Sequence, residues 1–187
     1  MLSHESVKTA IFIERDGILN LVRVERQQQV APLGLADFRV NSEAAPVLQR
    51  LKAAGHLLIV TTNQPGLSLG GVSRRELDRM HDLLRRLLPV DDILVCPHAE
   101  GDQCPCRKPG AGLFKEAAFK WHLDLDRCFV ISDKWQDAAA ARQVGATTML
   151  LQSPWIGRDP HDFVLPDLST IAEKILQLTA GLRILAA

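Results

Sequence analysis

The sequence predicts a three-layer, Rossmann-like α/β fold built on a parallel sheet, and three observations carry that expectation. Short apolar runs rich in β-branched residues recur five times, helical patterns lie between them, and polar clusters stand directly after four of the runs. Strands alternating with helices imply βαβ units, whose parallel sheet is covered on both faces. With 187 residues, of which 47% are hydrophobic and 24% charged, the chain suffices for one domain with a sizeable core, taken as 1–187.

The elements follow in order. Ala10 to Ile13 is the first strand. The preceding Met1 to Ala10 is polar and lacks the apolar core of a signal peptide. Arg23 to Asp37 is the longest stretch without periodicity and reads as a long substrate-facing loop. Glu43 to Ala54 reads as a helix with Ser42 as N-cap; it tolerates Pro46 near its first turn and stops at Gly55. Leu57 to Thr61 is the second strand, and the short Leu67 to Gly71 connection leaves no room for a large cap domain. Ser73 caps a helix in which Leu77, Met80, Leu84 and Leu87 or Leu88 recur at helical spacing until Pro89. Ile93 to Val95, Phe129 to Ile131 and Thr148 to Leu151 are further strands, with helices at Leu113 to Trp121 and at Gln136 to Val144, the latter closed by Gly145. Cys128 belongs to an apolar run and reads as an inert core thiol. A C-terminal helix in 169–187 carries Ile171, Ile175, Leu178 and Leu182 at helical spacing and is expected to pack back on the sheet.

Composition limits the partners. Basic and acidic residues number 22 each, and there is no basic run, so nothing supplies the electrostatic footprint of a nucleic-acid binder. No apolar stretch reaches membrane-spanning length, so no membrane partner is expected and the protein reads as cytoplasmic. A small-molecule partner fits best.

The most specific motif is Cys96-Pro-His98, five residues, then Cys104-Pro-Cys106-Arg107-Lys108. Three thiolates and one imidazole satisfy tetrahedral zinc, and four protein ligands leave no position open for water, so the zinc would be structural. Clustered thiols in a reducing compartment favour metal over disulfide. The 96–106 loop would thus pin the cations that follow it.

Four polar clusters end four strands: Glu14-Arg15-Asp16-Gly17, Thr61-Thr62-Asn63-Gln64, Arg107-Lys108, and Ser132-Asp133-Lys134 with Asp137. In a parallel sheet these ends share one edge, so the clusters converge on one crevice. Carboxylates there suit Mg²⁺, lysine and arginine suit phosphoryl charge, and Thr62 and Asn63 can donate to nonbridging oxygens. Asp137 reads instead as a helix N-terminal cap.

In order and spacing these motifs resemble the haloacid dehalogenase (HAD) superfamily of phosphatases, in the group of heptose 1,7-bisphosphate and histidinol-phosphate phosphatases. The matching segments are Glu14-Arg15-Asp16-Gly17-Ile18-Leu19-Asn20, Thr62-Asn63-Gln64, Cys106-Arg107-Lys108-Pro109 and Ser132-Asp133-Lys134-Trp135-Gln136-Asp137. The resemblance implies a monomer that takes a small phosphorylated substrate, with catalytic Mg²⁺ at Glu14, Asp16 and Asp133 and structural Zn²⁺. It implies a nucleophile at position 14, Asp16 as general acid and base, and Thr62 and Lys108 stabilising the transferring phosphoryl group. Arg15, Asn63, Gln64, Arg107 and Lys134 would bind substrate.

The chain departs from the family pattern at the nucleophile, where Glu14 replaces aspartate. Ile18 replaces a threonine, Ser132 a glycine and Pro65 a serine, and Leu69 stands where relatives often place an arginine. Two expectations follow: a phosphatase that uses Glu14, or a weak or inactive relative that binds a phosphorylated metabolite.

Overall fold

A computed structural model describes residues 9–185, with side chains described to 181. Residues 1–8 of the polar N-terminal segment lie outside the described residues. The strands are β1 (Ala10–Glu14), β2 (Arg23–Glu25), β3 (Gln28–Val30), β4 (Leu57–Asn63), β5 (Asp92–Cys96), β6 (Phe129–Ser132), β7 (Thr147–Leu151) and β8 (Phe163–Leu165). The α-helices are α1 (Ala44–Ala53), α2 (Arg74–Leu87), α3 (Gly112–Trp121), α4 (Trp135–Arg142) and α5 (Leu168–Leu185).

Six strands form one parallel sheet in the order β5-β4-β1-β6-β7-β8. All five residues of β1 are buried because helices cover both faces. Its side chains alternate with the strand period of two. Ile11 and Ile13 join a core with Leu48 and Leu51 of α1, Leu77 and Met80 of α2, and Ile171 and Ile175 of α5. Ala10 and Phe12 join a second core with Phe114 and Ala117 of α3 and Ala140 and Ala141 of α4. Phe12 and Phe114 meet with ring centroids 4.8 Å apart. These two cores make the three layers.

The chain winds from β1 through β4 to β5, then returns past β1 to β6 and runs outward through β7 to β8. The reversal opens a crevice at the carboxyl end of β1, between β4 and β6, which is where doubly wound sheets bind ligands. The C-terminal helix α5 packs against α1, β7 and β8, as its periodicity predicted.

Several local expectations change. The aperiodic stretch after β1 holds an antiparallel hairpin, β2–β3, with Arg26 and Gln27 at positive φ in its turn. Ser42 does not cap α1: Glu43 occupies the N-cap position without a side-chain cap, and Asn41 Oδ1 accepts the Glu43 amide at 3.1 Å. Ser73 does cap α2, accepting the Glu76 amide at 3.1 Å. An eighth strand, β8, extends the sheet beyond the apolar runs because its pairing partner β7 supplies the register.

Candidate active site

Glu14 is the last residue of β1 and stands in register with Thr61 of β4. Gly17 follows at φ 98°, and a Cβ there would lie 2.6 Å from Asp133 Oδ2, so the turn brings two carboxylate-bearing strand ends together only because no side chain intervenes. Thr62, on β4, donates its hydroxyl to Glu14 Oε1 at 3.2 Å, and the Asp16 amide reaches the same oxygen at 3.3 Å. Lys108 binds Glu14 Oε2, Asp137 Oδ1 at 2.5 Å and the Thr61 carbonyl at 2.9 Å. Burial alone would raise Glu14, but the ammonium groups of Lys108 and Lys134 outweigh it and bring the carboxyl down to about 2. Burial likewise works against the charge of Lys108, yet Asp137 and Glu14 raise its pKa.

Asp16 is held on every side. Arg15 donates to its two oxygens at 2.8 and 3.0 Å, Asn20 to Oδ1 at 3.0 Å, and Gln64 to Oδ2 at 2.7 Å. Gln64 also donates to Thr62 Oγ1 at 2.9 Å, tying the ends of β1 and β4 together.

Arg15 was expected at the substrate, and the structure places it elsewhere. Its side chain is fully buried, packs over the Phe38 ring at 5.6 Å and donates to His81 Nε2 at 3.1 Å. An arginine only donates, so this nitrogen of His81 is an acceptor and the ring is neutral. Burial, with the Arg15 charge beside it, pushes His81 down to about 3. Asn63 also acts on the protein itself: its amide brackets the Lys108 backbone, donating to the carbonyl at 3.0 Å and accepting from the amide at 3.1 Å. Of the expected substrate residues, Asn63, Gln64, Arg107 and Lys134 do line a cavity of about 410 Å³ that also holds Glu14, Asp16 and Lys108.

Asp137 was expected to cap α4. Instead it is 1% exposed and its carboxylate faces Lys108. Burial lifts it to about 6, the Lys108 ammonium opposing and the Glu14 charge reinforcing the rise. The signal for it was present in the sequence, as the last residue of the Ser132–Asp137 motif. Gln29 of the hairpin carried no such signal; it donates to Asp133 Oδ2 across 104 residues.

Three oxygens converge on a single point between strand ends. Lys134 Nζ lies 2.5 Å from the Asp16 carbonyl, 3.7 Å from Asp133 Oδ1 and 3.9 Å from Glu14 Oε1. Asp133 Oδ1 is buried with no hydrogen-bond partner among the described residues, and burial raises the Asp133 carboxyl. A donor set of two carboxylates and a carbonyl, one oxygen of it without a hydrogen bond, fits a hard cation such as Mg²⁺.

At the end of β5, Cys96 Sγ, a His98 nitrogen, Cys104 Sγ and Cys106 Sγ all lie within 4.8 Å of one another. The sulfurs stand 3.3 to 3.6 Å apart. Tetrahedral zinc with Zn–S near ~2.3 Å spaces its sulfurs by roughly 3.7 Å, so the donors fit that metal. The loop is locked to the next helix, since a Cβ on Gly112 would meet the Pro105 carbonyl at 2.5 Å. The Arg107 amide bonds Cys104 Sγ at 3.4 Å, and Lys108 follows into the cavity. Cys128 is a buried core thiol as expected, pushed up to about 11 by burial.

Of the departures from the family pattern, Glu14 and Pro65 line the cavity. Ile18 is 1% exposed and belongs to the core. Ser132 is fully buried and accepts the Lys134 amide at 3.1 Å, and Leu69 is 71% exposed.

The profile of the HAD-hydrolase-like family matches residues 105–170. A D-glycero-beta-D-manno-heptose-1,7-bisphosphate 7-phosphatase of Helicobacter pylori is 30% identical over 163 residues, 83% of this chain and 89% of that protein. The enzyme of the same name from Bordetella bronchiseptica is 30% identical over 180 residues, covering 89% and 97% of the two chains. The crystal structure of the D,D-heptose 1,7-bisphosphate phosphatase of B. bronchiseptica, complexed with magnesium and phosphate, superposes with a TM-score of 0.78 at 28% identity, covering 90% of this chain and 98% of that one.

Proposed function

Because the chain belongs to the haloacid dehalogenase superfamily, among the phosphoric monoester hydrolases related to the heptose-bisphosphate phosphatases, we propose that it is a Mg²⁺-dependent phosphatase of a small sugar phosphate working through Glu14. The observation that carries this reading is the meeting of Glu14, Thr62 and Lys108 at one strand edge beside the cation point of Asp16 and Asp133. Glu14 is ionised and attacks phosphorus, the ester P–O bond breaks, and the leaving oxygen takes a proton from Asp16. Asp16 then takes a proton from the water that hydrolyses the acyl phosphate. Thr62 and Lys108 donate to the transferring phosphoryl group, and Arg107 and Lys134 hold its charge. Glu14, the Asp16 carbonyl and Asp133 would hold Mg²⁺, which supplies further neutralisation of phosphoryl charge when bound.

Cys96, His98, Cys104 and Cys106 would hold a structural zinc that fixes Arg107 and Lys108. A cytoplasmic monomer acting on a free metabolite completes the proposal.

A second reading has its own support: a binder of a phosphorylated metabolite with poor turnover. Both Glu14 oxygens are engaged, and Asp16 is clasped by Arg15, Asn20 and Gln64. The extra methylene of glutamate displaces the nucleophile, and misplacement on the order of 1 Å can cost roughly 100-fold in rate. Phosphate release with Mg²⁺ from heptose 1,7-bisphosphate and histidinol phosphate, comparing the chain with Glu14→Asp, decides between them. Turnover by the unaltered chain supports the enzyme and names the substrate. Activity in the variant alone, roughly 100-fold above the parent, supports the binder, and silence in both removes the phosphatase proposal.

A further inference from the structure

The charged and the apolar linings of the cavity come from different segments. Its cations, Arg107, Lys108 and Lys134, lie beyond β5 and β6, whereas Val30, Ala31, Leu33, Pro65, Gly66 and Val72 line it from the end of the hairpin and from the connection between β4 and α2. Residues 30–33 and 65–72 include no charged residue. The hydroxyl of Ser68, their one polar side chain, donates to the Pro65 carbonyl at 3.2 Å.

This apolar wall is held in shape from within. A Cβ on Gly66 would lie 3.0 Å from Val72 Cγ1, and the Val72 amide donates to the Gly66 carbonyl at 3.0 Å, so the two ends of the β4–α2 connection close on each other. Glu76, in the first turn of α2, accepts the Leu35 amide at 2.6 Å and so fixes the chain just beyond Leu33 to that helix. Leu33 Cδ2 comes within 4.0 Å of the Cβ position on Gly71, where the two segments meet. Leu33 remains 52% exposed, and a ligand in the cavity can cover it.

The cations, by contrast, are engaged on their own side. Lys108 binds Glu14 and Asp137, Lys134 donates to the Asp16 carbonyl, and Arg107 Nη1 donates to the His98 carbonyl at 3.3 Å. One phosphoryl group placed among them takes up that positive charge. A second charged group carried against the wall would lose water and gain no partner, which is costly, whereas hydrocarbon placed there is favoured by leaving water.

We infer that Leu33, Pro65 and Val72 set the ester specificity of the cavity: the part of the substrate beyond the phosphate is uncharged and lays an apolar face on these side chains, so esters carrying one phosphate are taken and those carrying a second are rejected. This rests on the reading of the cavity as a phosphate site. Phosphonates, which the site cannot hydrolyse, test it by isothermal titration calorimetry with Mg²⁺ present, using methylphosphonate, butylphosphonate and butane-1,4-bisphosphonate. Butylphosphonate is expected to bind roughly tenfold more tightly than methylphosphonate, and at least roughly fivefold more tightly than the bisphosphonate. Leu33→Lys puts a cation on the wall at an exposed position; it is expected to shrink the butyl-to-methyl ratio to about twofold and to make the bisphosphonate the tightest of the three. Ratios taken within one variant separate specificity from any loss of folded protein. Equal binding of the methyl and butyl compounds by the parent, a bisphosphonate that binds the parent as tightly as the butyl compound, or unchanged ratios in Leu33→Lys would overturn the inference while leaving the phosphate site standing. Binding of no phosphonate at all would overturn the phosphate site and the inference with it.

Discussion

His81 shows how far a single residue's environment departs from what its type suggests. It is 4% exposed, accepts from Arg15, and is held down to about 3 from an ordinary value near 6.5. The unfolded chain therefore binds a proton between those two values that the folded chain refuses. Stability owed to neutral His81 is complete above pH 6.5 and is lost as pH falls towards 3, with a limiting slope of about 1.4 kcal/mol per pH unit. His81→Gln keeps an acceptor for Arg15 but cannot titrate. Urea unfolding between pH 4 and 7 should lose this part of the acid slope in the variant; an unaltered slope would mean that His81 is already charged in the fold. The pair also explains why Arg15 was misplaced from sequence. A charged residue between two site carboxylates reads as a substrate ligand, and only the presence of Phe38 and His81 beneath it turns the side chain inward.

At the scale of elements, the 96–106 loop and the hairpin act on the site from opposite directions. The loop delivers Arg107 and Lys108 directly from its last thiol, so a metal held by its four donors would be coupled to the cavity through a few bonds. Cys104→Ser should weaken zinc retention by at least roughly tenfold, read by metal analysis after dialysis, and should weaken inorganic phosphate binding as Lys108 loses its frame. Full zinc occupancy in that variant would remove Cys104 from the ligand set. The loop was legible in the sequence because its four donors lie within eleven residues. The hairpin was not, since Gln29 meets Asp133 at a sequence separation of 104 and nothing local in Arg23 to Asp37 encodes that meeting. The same holds for the α1 start: Ser42 and Asn41 are both capping types, and the loop path from Ile18, whose carbonyl accepts from Asn41 at 3.0 Å, decides between them.

For the whole molecule, the sheet is a platform clamped between two cores, and the site depends on β1 being immobile. Phe114 of α3 bears on Phe12, one strand residue removed from Ile13 and two from Glu14. Phe114→Ala should cost about 3–5 kcal/mol through lost burial and the cavity left behind, measured as a shift of the denaturant midpoint. A cost below about 1 kcal/mol would mean that the α3 face relaxes to fill the space.

The sequence by itself determined the layered parallel sheet, the thiol and imidazole cluster and the strand-end grouping of Glu14, Asp16, Thr62, Lys108 and Asp133. Periodicity and strand-end position are local properties of a chain, and a parallel sheet turns them into proximity without further information. Tertiary structure decided which way side chains point once they have arrived. It turned Arg15 inward, gave Asp137 to Lys108, spent Asn63 on the Lys108 backbone and brought Gln29 from a hairpin to the cavity. Those outcomes depend on which buried donor finds which acceptor across the fold, and a hydrogen bond between distant strands leaves no periodic trace in the residues that make it.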